Sequence, residues 1–169
     1  MYYHKKINSP VGELTLVATD KSLMAVLWEN DDPTRIQLEE SIEQEDHVLL
    51  VEAGNQLAEY FERKRTGFEL PLEFTGTEFQ KKVWQALLTI PFGETRTYGQ
   101  IAQQIGDPNA VRAVGGAANK NPISIIAPCH RVIGASGKLT GFAGGLKTKS
   151  YLLQLEYTKR NPTLWQSWE

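Results

Sequence analysis

A chain of 169 residues can bury one sizeable core or two modest ones, and 41% hydrophobic with 22% charged residues is the balance of an ordinary globular protein. No apolar run approaches the ~20 residues of a membrane-spanning helix, and the opening MYYHKKINSP lacks the apolar stretch of a signal peptide, so a cytoplasmic location with no membrane partner is expected. The net charge of -2 is uneven: 9 Lys+Arg face 16 Asp+Glu over residues 1–92, and 9 face 4 over residues 93–169. That excludes a uniformly basic coat but leaves a positive half able to meet phosphates on one face.

In chain order, Leu14, Leu16 and Ala18 alternate as in a strand or hairpin, and Asp20-Lys21 gives a turn. Leu23, Ala25 and Leu27 then alternate again, with Val26 and Trp28 on the opposite face. The polar stretch Glu29–Glu45 reads as loop with a fragment of strand or helix. From His47, the apolar residues Leu49, Leu57, Tyr60 and Phe61 return near helical spacing until Thr66-Gly67 stops them. Phe68, Leu70 and Leu72 fit one edge strand. Thr75-Gly76-Thr77 is the expected boundary, dividing an N-terminal α/β domain, 1–75, from a mostly helical domain, 76–169.

Beyond it Phe79, Val83, Trp84, Leu87 and Leu88 mark a helix. Thr97 stands three residues before Gln100 in the form of a capping box, opening a short helix that Gly106 ends. Asp107 is placed to cap the next helix, with Pro108 at its first position, and the pair of helices makes a helix-turn-helix. The second one, roughly Pro108 to Ala118, carries almost no bulk at Ala110, Gly115, Gly116, Ala117 and Ala118. Two readings stand: tight packing on a neighbouring helix, or close approach to a nucleic-acid backbone. Asn121-Pro122 closes it, and Ile123, Ile125 and Ile126 form a buried segment. After a glycine-punctuated loop from Gly134 to Gly145, Leu146, Leu152, Leu153 and Leu155 predict a last helix carrying Glu156. The tail Asn161–Glu169, with two tryptophans, either packs on the body or hangs free.

Cys129 is the only cysteine, so no internal disulfide or multi-thiolate metal site exists, and His4, His47 and His130 show no metal-ligand spacing. No metal or cofactor is expected. Cys129 is followed by His130 and Arg131, and a thiol reacts only as thiolate, which a neighbouring base or positive charge favours. A base needs an orienting acid. The C-terminal half offers Glu94, Asp107, Glu156 and Glu169, of which Glu156 is preferred because its helix can pack under the site.

The ordered set FQKKVW, PFGETRTYGQIA, NAVRAVGGA, NP, PCHRV and GFAGG, from Phe79 onward, resembles the methylated-DNA–protein-cysteine methyltransferases, also called O6-alkylguanine-DNA alkyltransferases. The first 75 residues match more loosely, in length and in PVGELTL. The resemblance implies a ribonuclease H-like N-terminal α/β domain and a suicide DNA repair enzyme. Cys129 would take the alkyl group from O6-alkylguanine once and irreversibly, while alkylated thymine as a second substrate is left open. His130, through a water, would take the thiol proton, Glu156 would orient it, and Tyr98 would neutralise the leaving guanine. The base must first be rotated out of the duplex, a task the resemblance gives to Arg112. It places further DNA contacts at Ala110, Gly115, Gly116, Ala118, Lys120 and Arg131. The substrate pocket would be lined by Tyr98, Asn121, Cys129, Val132, Phe142, Ala143 and Gly144. Phe142-Ala143 replaces the Tyr-Ser of some relatives, and the N-terminal zinc cysteines of others are missing. The implied partner is double-stranded DNA carrying the lesion, met by a monomer, with cooperative assembly on DNA left open. A non-catalytic DNA-binding module and a thiol hydrolase are the rival readings.

Overall fold

The computed structural model describes residues 1–157 and divides them into two compact units. The first comprises Met1–Thr75 with Pro122–Ile126, and the second comprises Gly76–Asn121 with the residues from Ala127 onward. A single cut at 75/76 therefore misses that the isoleucine segment belongs with the first unit. The tail Asn161–Glu169 lies outside the described residues.

The first unit is mixed α/β. Its strands β1 (Tyr2–Ile7), β2 (Leu14–Ala18), β3 (Leu23–Leu27) and β4 (Ser41–Glu43) lie in the order β3-β2-β1-β4, with only β1 and β4 parallel. Strand β1 was not foreseen, because YYHKKI lacks an apolar alternation. Backbone pairing on both sides holds it, helped by an ion pair of Lys5 with Glu45 at 2.6 Å. Strand β3 buries consecutive residues Leu23 to Val26, as strands covered on both faces do. Helix α1 (Val48–Phe61) packs on the sheet through Leu50, Ala53, Leu57 and Tyr60. The expected edge strand at Phe68–Leu72 reduces to one parallel bridge, Leu23 with Leu72. The isoleucine segment makes a second bridge to the same strand, Val26 with Ile123. Ile125 there holds φ 72 while fully buried, a costly conformation for a β-branched residue.

The second unit is mostly helical. Helix α2 (Glu78–Leu87) starts with a capping box of Thr77 and Gln80. A Cβ at Gly76 would lie 2.8 Å from the rigid Trp84 ring, so only glycine fits there. Strand β5 (Arg96–Thr97) leads into α3 (Tyr98–Gln104), which carries the second capping box, Thr97 with Gln100. Gly106, at φ +82, ends it. Helix α4 begins later than expected, at Val111, and runs to Asn119. Asp107 and Pro108 neither cap nor start it: a turn closed by Ala110 N–H to the Asp107 carbonyl at 3.0 Å consumes them. Helices α3 and α4 form the helix-turn-helix, and Trp84 Nε1–H donates to the Ala117 carbonyl at 2.8 Å, fixing α4 on α2. A 3-10 turn (Cys129–Arg131) precedes β6 (Val132–Ile133), paired in parallel with β5, and α5 (Leu146–Leu155) ends the described chain. No helix of the described residues is long and apolar enough to cross a membrane.

Candidate active site

Cys129 opens the 3-10 turn. Its N–H bonds the Ala127 carbonyl at 2.8 Å, and the residue is 8% exposed. Immediately upstream, Asn121 is fully buried and donates from Nδ2 to the Ala127 carbonyl at 2.8 Å, tying the end of α4 to the segment that carries the thiol. The Cys129 carbonyl accepts the Val132 N–H, which closes the turn.

His130 and Glu156 are both fully buried, and His130 Nε2 meets Glu156 Oε2 at 2.6 Å. Burial pushes the imidazole pKa down, with the charges of Arg131 and Lys149 adding to it against Glu156. The imidazole is therefore neutral, with Nε2–H donating to the carboxylate. Nδ1, which has no hydrogen-bond partner among the described residues, keeps the lone pair a base needs. Burial alone would raise the Glu156 pKa. The His130 and Arg131 contacts outweigh it and hold the carboxyl well below the usual range. Of the other candidate acids, Glu94 pairs with Arg96 at 3.2 Å.

Arg131 requires a correction. Expected among the DNA contacts, it is 6% exposed and turned inward. Its Nε and Nη2 donate to the two Glu156 oxygens at 2.7 and 3.1 Å, and Nη1 donates to the Ile90 carbonyl at 2.6 Å. A guanidinium buried with all three nitrogens engaged inside the protein is not placed to meet a phosphate. Ala118 is corrected likewise: at 7% exposure it lies on the inner face of α4 with Val114 and Ala117. Arg112, Gly116 and Lys120 are exposed, whereas Ala110 and Gly115 are half-buried. A Cβ on Gly116 would meet nothing within 4 Å, and one on Gly115 only the Tyr98 ring at 3.9 Å, an ordinary contact. Tight helix packing thus does not account for these glycines.

Tyr98 is half-buried. Burial and the Cys129 charge raise its pKa, while a hydrogen bond from Thr140 Oγ1 to its hydroxyl, 2.9 Å, opposes them. Lys149 was missed by the sequence reading. It is fully buried, donates to the Thr140 carbonyl at 3.2 Å, and lies 5.9 Å from the Tyr98 ring centre and 5.8 Å from that of Phe142. Burial pushes its pKa down to about 8. A signal existed: Leu146, Lys149, Leu152 and Leu153 share the apolar stripe of one helix, where a lysine is out of place. Phe142, Ala143 and Gly144 are half-buried, and Val132 is fully buried. Among the described residues no group of three or more His, Cys, Asp or Glu is placed to hold a metal.

A thiol followed in the chain by an imidazole that is itself held by a buried carboxylate defines a protein with a nucleophilic cysteine, here carried on a helix-turn-helix unit. Residues 78–158 match the DNA-binding domain of 6-O-methylguanine DNA methyltransferase, and residues 1–74 match its ribonuclease-like domain. The chain belongs to that family. It is 48% identical over 161 residues to the methylated-DNA–protein-cysteine methyltransferase of Mycobacterium tuberculosis, covering 94% of each chain. To that of Methanosarcina mazei it is 50% identical over 156 residues, 92% of this chain and 97% of the other. Among solved structures, the Mycobacterium tuberculosis O6-methylguanine methyltransferase superposes with a TM-score of 0.84 at 47% identity, covering 96% of each chain. The Mycobacterium tuberculosis OGT in complex with DNA gives 0.85 at 47% identity over 91% of this chain and 92% of that one.

Proposed function

We propose that the chain repairs DNA by direct reversal, moving the alkyl group of O6-alkylguanine in duplex DNA onto Cys129, once per molecule. The observation that carries this is the 2.6 Å contact of His130 Nε2 with Glu156, which leaves Nδ1 of the residue that follows the cysteine as a buried base. The thiol proton passes to Nδ1, by way of a water as family resemblance implies. The thiolate then attacks the alkyl carbon, the carbon–O6 bond breaks, and its electron pair leaves on the guanine. The anion takes a proton from the Tyr98 hydroxyl, with the Lys149 ammonium stabilising the negative charge. A thioether has no route back through thiol exchange, so the protein is consumed.

The base reaches the site rotated out of the helix, and Arg112, exposed on α4, fills the gap it leaves. Gly116 and Lys120 on the open face of α4 meet the backbone, and the half-buried Ala110 and Gly115 leave it room. Tyr98, Asn121, Phe142, Ala143 and Gly144 shape the pocket, and with no hydroxyl at Ala143 any bond to O6 comes from backbone N–H. A reducing cytoplasm, which keeps the thiol free, is part of the proposal, as is action by a monomer.

Intact-mass spectrometry after incubation with a duplex oligonucleotide carrying O6-methylguanine tests it. The expected result is one methyl on the peptide holding Cys129, saturating at about one per molecule. Product beyond that stoichiometry would favour a thiol hydrolase, and tight binding without a mass gain would favour a non-catalytic module.

A further inference from the structure

Arg131 is buried, charged and, on its own contacts, excluded from DNA. Its guanidinium fills both oxygens of the one carboxylate that His130 depends on, and takes the Ile90 carbonyl with its remaining arm. The Gly93 N–H adds a weaker bond to Glu156 Oε1 at 3.4 Å, and Phe92 lies 5.8 Å from the guanidinium carbon. A buried carboxylate facing only an imidazole at 2.6 Å would draw a proton onto that ring. The imidazolium would then present Nδ1–H, a donor, to the cysteine and could not take its proton. A fixed cation on the same carboxylate removes that pull, and the planar fork holds both oxygens in place.

We propose that Arg131 is a positioning residue for alkyl transfer: it neutralises and orients Glu156, so that His130 stays a neutral base with Nδ1 free to take a proton. This rests on the reading of Cys129, His130 and Glu156 given above. The charged groups acting on the imidazole are Glu156, Arg131 and, from α5, Lys149. Helix α2 also packs on the turn, but its charged residues Glu78, Lys81 and Lys82 are not buried.

The test uses the full chain with Arg131→Gln and Arg131→Lys, and single-turnover transfer from an O6-methylguanine duplex between about pH 5.5 and about pH 9. Wild type is measured first; failure there sinks the reading of the site rather than the part given to Arg131. Arg131→Gln is expected to slow transfer about tenfold near neutral pH, to displace the acid limb of the profile to higher pH, and to move the His130 titration seen by ring-nitrogen NMR to higher pH. Its DNA dissociation constant is expected to stay at the wild-type value. Arg131→Lys keeps the charge without the fork, so the limb should return to its wild-type position while the plateau stays several-fold low. A folded Arg131→Gln with an unmoved limb and an unmoved His130 titration overturns the proposal. So does a loss confined to DNA affinity, with wild-type rate at saturating DNA. Should Arg131→Gln not fold, Arg131→Lys decides: a displaced limb overturns the charge argument, and a wild-type plateau overturns the orienting one.

Discussion

Two arginine–carboxylate pairs, one in each unit, have nearly the same geometry and different work. In the first unit Arg35 reaches Asp31 with Nε at 2.7 Å and Nη2 at 2.6 Å, and Asp31 also accepts the Trp28 N–H. The residues are four apart, and the pair pins a loop. In the second unit Arg131 reaches Glu156 with almost the same fork, but 25 residues separate them and the carboxylate has an imidazole on its other side. The bidentate bond is thus no sign of function by itself. What marks the second pair is the third partner, a group able to change its protonation and next in the chain to a thiol.

The sharpest way to break that comparison is to remove each carboxylate. Glu156→Gln leaves a deeply buried guanidinium unpaired, so a loss of about 3–5 kcal/mol is expected, together with a fall in transfer rate of about hundredfold or more. Asp31→Asn is expected to cost about 1–3 kcal/mol, since water reaches that pair more easily, and to leave the rate per folded molecule within about twofold. Urea unfolding gives the first quantity and single-turnover kinetics the second. A rate loss in Asp31→Asn as large as in Glu156→Gln would erase the distinction.

Legibility followed the same divide. Local signals were readable: the Thr97–Gln100 capping box, the Gly106 stop and the helical period of α2 stand in the sequence and in the structure, although the equivalent box of Thr77 and Gln80 was passed over as part of a boundary. The fold class, an N-terminal mixed α/β unit before a helix-turn-helix unit, was legible too, through ordered motifs more than through periodicity. What failed were contacts that only tertiary folding makes. Strand β1 owes its existence to partners, not to its own pattern, and Asp107-Pro108 has cap chemistry but sits in a turn. Arg131 looks like a surface cation beside a catalytic histidine, and nothing in one sequence says that an acid 25 residues on will draw it inside.

Lys149 sharpens the contrast between holding structure and doing chemistry, because it should be bad for one and good for the other. It is a fully buried cation with one hydrogen bond to a carbonyl, and its pKa falls to about 8 in the folded protein from an ordinary 10.5. Between those values the unfolded chain binds more protons than the folded one, so this group makes stability rise with pH across that window. Lys149→Met is expected to stabilise the protein at neutral pH by about 1–3 kcal/mol and to remove that rise. Transfer is expected to slow about tenfold, as the positive charge near Tyr98 and the thiolate is lost. A variant that melts higher and reacts at the wild-type rate would make Lys149 a structural accident.

The smallest effect, and the one that separates packing from DNA contact most cleanly, is expected at Gly116. A Cβ there meets nothing within 4 Å in the free protein, and the position lies on the exposed side of α4. Glycine inside a helix is worth roughly 0.5–1 kcal/mol less than alanine, so Gly116→Ala should stabilise the free protein by about that amount. If the bare surface is reserved for a phosphate backbone, the same methyl should weaken binding to a lesion-bearing duplex by about two- to fivefold at fixed salt, with the rate at saturating DNA unchanged. Denaturant titration and DNA titration of one variant read both numbers. Gain in stability with full affinity would mean that the DNA never comes close to Gly116, and the small residues of α4 would then need another explanation.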